Sequence, residues 1–127
     1  MRTTSLPARI LGALTATYGV AVAAEPALLL RPTRLGEDRA HLILARLVGL
    51  RDTVSGLTMV VAPSPSALRV AVAVRVTSDL CDTVVLGVAL RGRPQRSKTV
   101  AVTAGWALLC AASAWPLRSS TARGDRR

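Results

Sequence analysis

The chain has 127 residues, half of them apolar, with 17 Lys and Arg against 7 Asp and Glu and a mean hydropathy of +0.40. That length allows one domain, the hydropathy excludes a solvated, disordered chain, and two cysteines exclude a disulfide framework. There is no Phe, one Tyr and two Trp, which argues against an ordinary soluble core. The formal charge of +10 does not point to nucleic acid. All but one of the basic residues are Arg, and most punctuate apolar segments instead of forming a stripe with interleaved aromatic rings. Arg at the ends of apolar runs suits membrane helices, with aliphatic stems in lipid and guanidinium groups among phosphates. The dominance of Ala, Val, Leu and Arg suggests a GC-rich bacterial genome.

Four apolar segments follow in chain order. The first covers residues 8–30, and its uncharged stretch ends at Glu25-Pro26. It has a rival reading as a signal peptide: a basic start to Arg9, an apolar run from Ile10 to Val22, and Ala21-Val22-Ala23 as a cleavage site. A charged loop leads to the second segment, residues 41–62. Pro63-Ser64-Pro65-Ser66 is the clearest turn, because two prolines in four residues end a helix. The third segment covers residues 67–90. Val70, Val72, Val74 and Val76 alternate there as in a strand, but the residues between are mostly Ala, so no half-buried face is specified. In lipid a strand would leave its backbone unpaired, which favours a helix. A basic loop precedes the fourth segment, residues 99–117, which carries no charge and is long enough for a hydrocarbon core of about 30 Å. Residues 118–127 read as a disordered basic tail. Small residues four apart (Gly12 and Ala16, Gly19 and Ala23, Ala45 and Gly49, Ala101 and Gly105) would let helices approach closely in lipid.

The abnormal residues are charges inside the second and third segments: Arg51, Asp52, Arg75, Asp79 and Asp82. A central charge costs about 2.5–3.5 kcal/mol on the insertion scale, so three in the third segment cost roughly 8–10 kcal/mol. Its Val and Leu residues return roughly 3–6 kcal/mol on the same scale. Alone this helix inserts poorly; paired with the second, its charges meet opposite charges inside a bundle. At about 100° per residue, Arg75, Ser78, Asp79 and Asp82 share one face, and Arg51, Ser55 and Thr58 share another with Asp52 at its edge. The short turn makes the two helices antiparallel. It allows Arg51 to meet Asp79 and Arg75 to meet Asp52, while Arg75 and Asp79 form an i, i+4 pair. Glu25 either joins this cluster or sits at the interface. The network reads as an internal staple that fixes helix register. The alternative is a proton, ion or small-anion site.

The run Gly49-Leu50-Arg51-Asp52 with Gly56 beyond it, then Arg75-Val76-Thr77-Ser78-Asp79-Leu80-Cys81-Asp82, resembles a group of small bacterial four-helix membrane proteins of unknown function. Their pattern is Gly-x-Arg-Glu/Asp followed by Arg-x-x-x-Asp-x-x-Asp, and a similar module precedes some polyketide-cyclase-like domains. Ser78 stands where that group often has Gly, and the aromatic residues common upstream of the Arg are absent. The resemblance implies a multipass membrane protein whose charged residues matter to the fold.

The remaining chemistry-bearing residues read as structural. His41 is the lone histidine and has no set of partners for a metal. Cys81 and Cys110 read as buried inert thiols, and Tyr18 and Trp106 as packing residues. There is no phosphate loop, zinc spacing or nucleophile elbow. The expectation is an all-α, four-helix transmembrane bundle in the cell (inner) membrane, multipass, with no catalytic residues, cofactor, metal or nucleic acid. Its partner is the lipid bilayer, with a second copy or another membrane protein as a further candidate. Function is expected to be that of a structural or accessory bundle; the alternative is a proton-coupled or ion and small-molecule transporter using the intramembrane Asp residues. Six basic residues on the side of the termini against seven on the other give the positive-inside rule nothing to orient.

Overall fold

The structure, a computed structural model, describes residues 2–115. Among these the regular structure is all helical: α1 (Arg2–Ala24), α2 (Ala27–Thr33), α3 (Arg39–Val61), α4 (Pro65–Ala89) and α5 (Arg96–Ser113). There are five helices where four were expected, because the first segment breaks at Glu25-Pro26. Proline disfavours helical geometry in the residue before it, and Pro26 starts a separate short helix. Glu25 is exposed at this break and takes no part in the charge cluster. The alternating valines of residues 70–76 lie within α4, as helix. Residues 118–127, expected to be a disordered tail, lie outside the described residues.

Local chemistry explains where the long helices begin. Asp38 caps α3, its Oδ1 accepting from the backbone N–H groups of Ala40 (3.0 Å) and His41 (3.2 Å). Ser64 caps α4 by accepting from Ala67 N–H at 3.1 Å, with Pro65 at the first helical position, where its missing N–H costs nothing. At the far end of α3, Arg9 of α1 donates to the carbonyls of Val60 and Ala62 (2.7 Å to the latter), satisfying groups the helix leaves open.

The helices assemble as two pairs. In the first pair α1 packs antiparallel on α3, and the seam is made of glycine: Gly12 and Gly19 face Gly56 and Gly49. A Cβ added at Gly49 would lie 2.6 Å from the backbone nitrogen of Ala23 and 2.7 Å from the carbonyl oxygen of Gly19. The two backbones therefore touch, and only glycine fits. The second pair is α4 with α5, pinned by Thr83 Oγ1 donating to Thr103 Oγ1 at 2.8 Å. Gly105, expected to mediate close packing, meets nothing within 4 Å of where its Cβ would be. The pairs meet each other less closely, through side chains of α3 and α4 and through Trp106, whose Nε1 donates to Thr15 Oγ1 of α1 at 3.1 Å.

Along the bundle axis the interior has three levels. Near the turn between α3 and α4 lies a small apolar cluster: Ala8, Met59, Ala62, Leu68, Val72 and Cys110. The middle level holds charges. At the end nearest α2 the pairs part around a cleft of about 680 Å³.

Candidate functional site

All five charged residues singled out in the sequence meet at the middle level. Arg75 forms a fork on Asp79, with Nε to Oδ2 at 3.0 Å and Nη2 to Oδ1. Its Nη1 crosses to α3, donating to Asp52 Oδ1 at 2.7 Å and to Ser55 Oγ at 3.2 Å. Arg51 forks in turn on Asp82, Nη1 to Oδ1 at 3.0 Å and Nη2 to Oδ2 at 2.6 Å. It also donates to Asp52 Oδ1 through Nε at 3.2 Å and Nη2 at 2.9 Å. Two bidentate Arg–carboxylate forks thus share one oxygen of Asp52.

Two details differ from the sequence reading. Arg51 does not pair with Asp79. Both oxygens of Asp79 are already held by Arg75, so the Arg51 guanidinium reaches further along α4 to Asp82. Asp52, expected at the edge of its helical face, is instead the buried hinge of the network at 6% exposure. Its neighbour Arg51 is the rim, with a side chain 36% exposed against 5% for Arg75. The i, i+4 step from Arg75 to Asp79 and the antiparallel turn suffice to bring Asp52, Arg75 and Asp79 together.

The network is a septum. On one side Arg51 and Ser55 line a shallow groove of about 450 Å³ with Leu50, Val54, Thr58, Val74 and Ser78. On the other side Asp52, Arg75, Asp79 and Asp82 close the inner end of the 680 Å³ cleft. Tyr18, Trp106, Leu14, Leu44, Val85 and Val102 also line that cleft, while His41 and Lys98 line it from the first turns of α3 and α5. Tyr18 is therefore a half-exposed wall residue, not core packing. Both cysteines are free, and only Cys110 is buried; Cys81 faces outward. Among the described residues no group of three His, Cys, Asp or Glu side chains is placed to hold a metal ion. At the mouth of the bundle, His41 Nδ1 lies 2.5 Å from Asp38 Oδ2. The backbone N–H of His41, and after it the ring, hold the Asp38 carboxyl below its ordinary range.

The glycine seam behind this site was only half legible in the sequence. The four-residue pattern flagged Gly12, Gly19 and Gly49 singly, whereas the structural unit is seven residues: Gly12 and Gly19 on α1 against Gly49 and Gly56 on α3. Two turns of helix bring positions seven apart back to one face, and that spacing was the available signal.

The surface inverts the usual arrangement. Leu47, Leu50, Val54 and Leu57 of α3, Val70, Val74 and Val84 of α4, and Val102, Leu108 and Leu109 of α5 are all exposed. The buried side includes Asp52, Arg75 and Asp79. Among the described residues one helix, over Ser5–Ala24, is by length and composition long and apolar enough to cross a membrane. The other two longest helices, α3 and α4, carry the charges of the network within their spans. The chain matches no protein-family model, no curated protein and no solved structure.

Proposed function

We propose that the protein is a small multipass integral membrane protein of the cell (inner) membrane, a non-enzymatic structural or accessory bundle held together by its Arg/Asp network. One observation carries this reading: Asp52, Arg75 and Asp79 are buried and paired, while a large set of Leu and Val side chains on the long helices is exposed. In water that arrangement leaves large apolar areas hydrated, which monomeric soluble proteins rarely do. In lipid the aliphatic exterior costs nothing, and the buried charges need the partners they have here. The helix lengths agree: the 23 residues of α3 and the 25 of α4 reach about 34 and 37 Å at 1.5 Å per residue, enough for a hydrocarbon core of about 30 Å. The resemblance to the small bacterial membrane group rests on the same charged residues and supports the same reading.

A second reading, a proton-coupled or small-molecule carrier, is favoured by the cleft, because it places Asp52, Asp79 and Asp82 at the closed end of a space open at the other. Asp79→Asn separates the two. In a structural bundle it lowers yield and stability and changes no flux. In a carrier it abolishes proton or solute flux in proteoliposomes while the protein remains folded. Retention of the full-length chain in carbonate-washed membranes tests the membrane reading itself, and release of the chain into the wash overturns it.

A further inference from the structure

The outer end of the cleft is cationic. Residues 25–39 and 91–98 bound the end of the bundle where α2 lies, and they carry seven basic side chains against three acidic ones, a surplus of four positive charges. The two stretches are tied together by Arg93 Nη1, which donates to the Arg34 carbonyl at 3.0 Å. Two of the three acids are engaged locally, Glu37 with Arg31 and Asp38 with His41. Arg93 and Arg96 donate to the carbonyls of Arg34 and Gly87, which satisfies hydrogen bonds and neutralises no charge. Lys98 goes further. It is exposed in the first turn of α5, it lines the cleft, and it has no hydrogen-bond or ion-pair partner among the described residues.

Inward of Lys98 the wall turns aliphatic, with Leu44 and Val48 of α3, Val85 of α4 and Val102 of α5. The septum closes the inner end, and its carboxylates are all taken by Arg51 and Arg75, so it is a floor and not a site. Lys98 lies eight residues before Trp106 on α5, about 12 Å along the helix, and His41 lies eleven before Asp52 on α3, about 16 Å. At about 1.2 Å per bond of extended chain, that depth takes roughly ten to thirteen carbons. The volume of about 680 Å³ falls within the range of small-molecule pockets, roughly 300–1,000 Å³. A cationic mouth, an aliphatic shaft and a closed floor match, in that order, a molecule with an anionic head and one apolar tail.

We infer that the cleft takes one acyl chain of an anionic phospholipid, with the phosphate beside the Lys98 ammonium and the second chain in the surrounding bilayer. The inference rests on the membrane reading, because a bilayer supplies such a lipid at the mouth of the cleft. A basic side chain at a membrane surface attracts anionic over neutral lipid about fivefold. The cleft adds what a surface lysine lacks, a bounded space for a single chain. Binding therefore saturates at one lipid and depends on the shaft as well as on the charge.

The test is native mass spectrometry of the full chain in a short-chain neutral detergent, titrated with dilauroyl phosphatidylglycerol and with dilauroyl phosphatidylcholine. One phosphatidylglycerol per chain should bind saturably, with phosphatidylcholine about fivefold weaker. Lys98→Gln, at an exposed position that leaves folding intact, should bring phosphatidylglycerol down to the level of phosphatidylcholine. Val102→Trp, which fills the shaft and touches no charge, should abolish the bound lipid of either kind. Equal binding of the two lipids, a Lys98→Gln chain that keeps the preference, no saturable adduct, or displacement of the lipid by inorganic phosphate overturns the inference. If Val102→Trp fails to fold, the headgroup comparison and Lys98→Gln decide alone. Carbonate washing of the expressed membranes separates the two readings: retention without a phosphatidylglycerol preference rejects the lipid site alone, and release into the wash rejects the membrane reading and this inference with it.

Discussion

α3 is held on its two sides by opposite means. Against α1 it offers Gly49 and Gly56, and the helices meet backbone to backbone with no charged side chain between them; the Thr53 hydroxyl lies at the seam beside Gly19. Against α4 it offers Arg51, Asp52 and Ser55, and the helices meet through ion pairs. The glycine seam is close and independent of charge. The ionic seam is wider, and the 680 Å³ cleft opens beside it. A helix pair that must stay shut is built from small residues. One that bears charges in an apolar surrounding is built around their mutual neutralisation.

The largest effect should come from the centre of the ionic seam. Arg75→Met removes both donors to Asp79 and one of three to Asp52, leaving buried carboxylates uncompensated. We expect a loss of about 3–5 kcal/mol, read as a lowered unfolding midpoint in mixed micelles. Arg51→Met, at the half-exposed rim, should cost about 1 kcal/mol. Equal losses at the two sites would mean that burial does not grade the network.

The glycine seam should respond to size alone. Gly49→Leu drives a side chain into the α1 backbone and should cost about 3 kcal/mol. Gly105→Ala, in open space, should be neutral or stabilise by about 0.5–1 kcal/mol, because alanine is the better helix former. If Gly49→Leu is tolerated with α1 and α3 still paired, the backbone contact is not what joins them.

The smallest effect lies outside both seams, at the α3 cap. Asp38 is held below its ordinary value of 3.8 by the His41 backbone N–H first and the His41 ring second. A carboxyl lowered on folding contributes stability that is complete above its unfolded value and is lost as pH falls through the lowered one. Fraying of the first turn of α3 should therefore increase only below about pH 4, measured as faster amide exchange at Ala40 and His41. Asp38→Asn retains an acceptor for the cap and should abolish that pH dependence.

Much of this was legible in the chain because expensive residues have few destinations. Five charges in apolar segments, joined by a short Pro-Ser-Pro-Ser turn, left little choice but to meet one another, and Ser55 and Asp79 were placed on the right faces by helical periodicity alone. The identity of Arg51's partner was not legible. It depends on Arg75 having taken both oxygens of Asp79, a competition decided by side-chain reach. The split of the first segment was signalled by Glu25-Pro26, yet hydropathy runs straight through it to Leu30. The cleft was invisible, since no residue marks the space that a wide seam leaves. Cys81 was misplaced although the signal was present: it lies about 200° around α4 from Asp79, and the charged face that turns inward leaves it outside.

The central claim is the inversion itself, charges inside and aliphatic side chains in lipid. Val54 tests it most directly, being 62% exposed and two residues from the buried Asp52. A spin label at Val54→Cys, in a chain carrying Cys81→Ser and Cys110→Ala and reconstituted in bilayers, should collide more with dissolved oxygen than with a water-soluble nickel chelate. Collision with the chelate equal to or above that with oxygen would place this face in water and contradict the membrane reading.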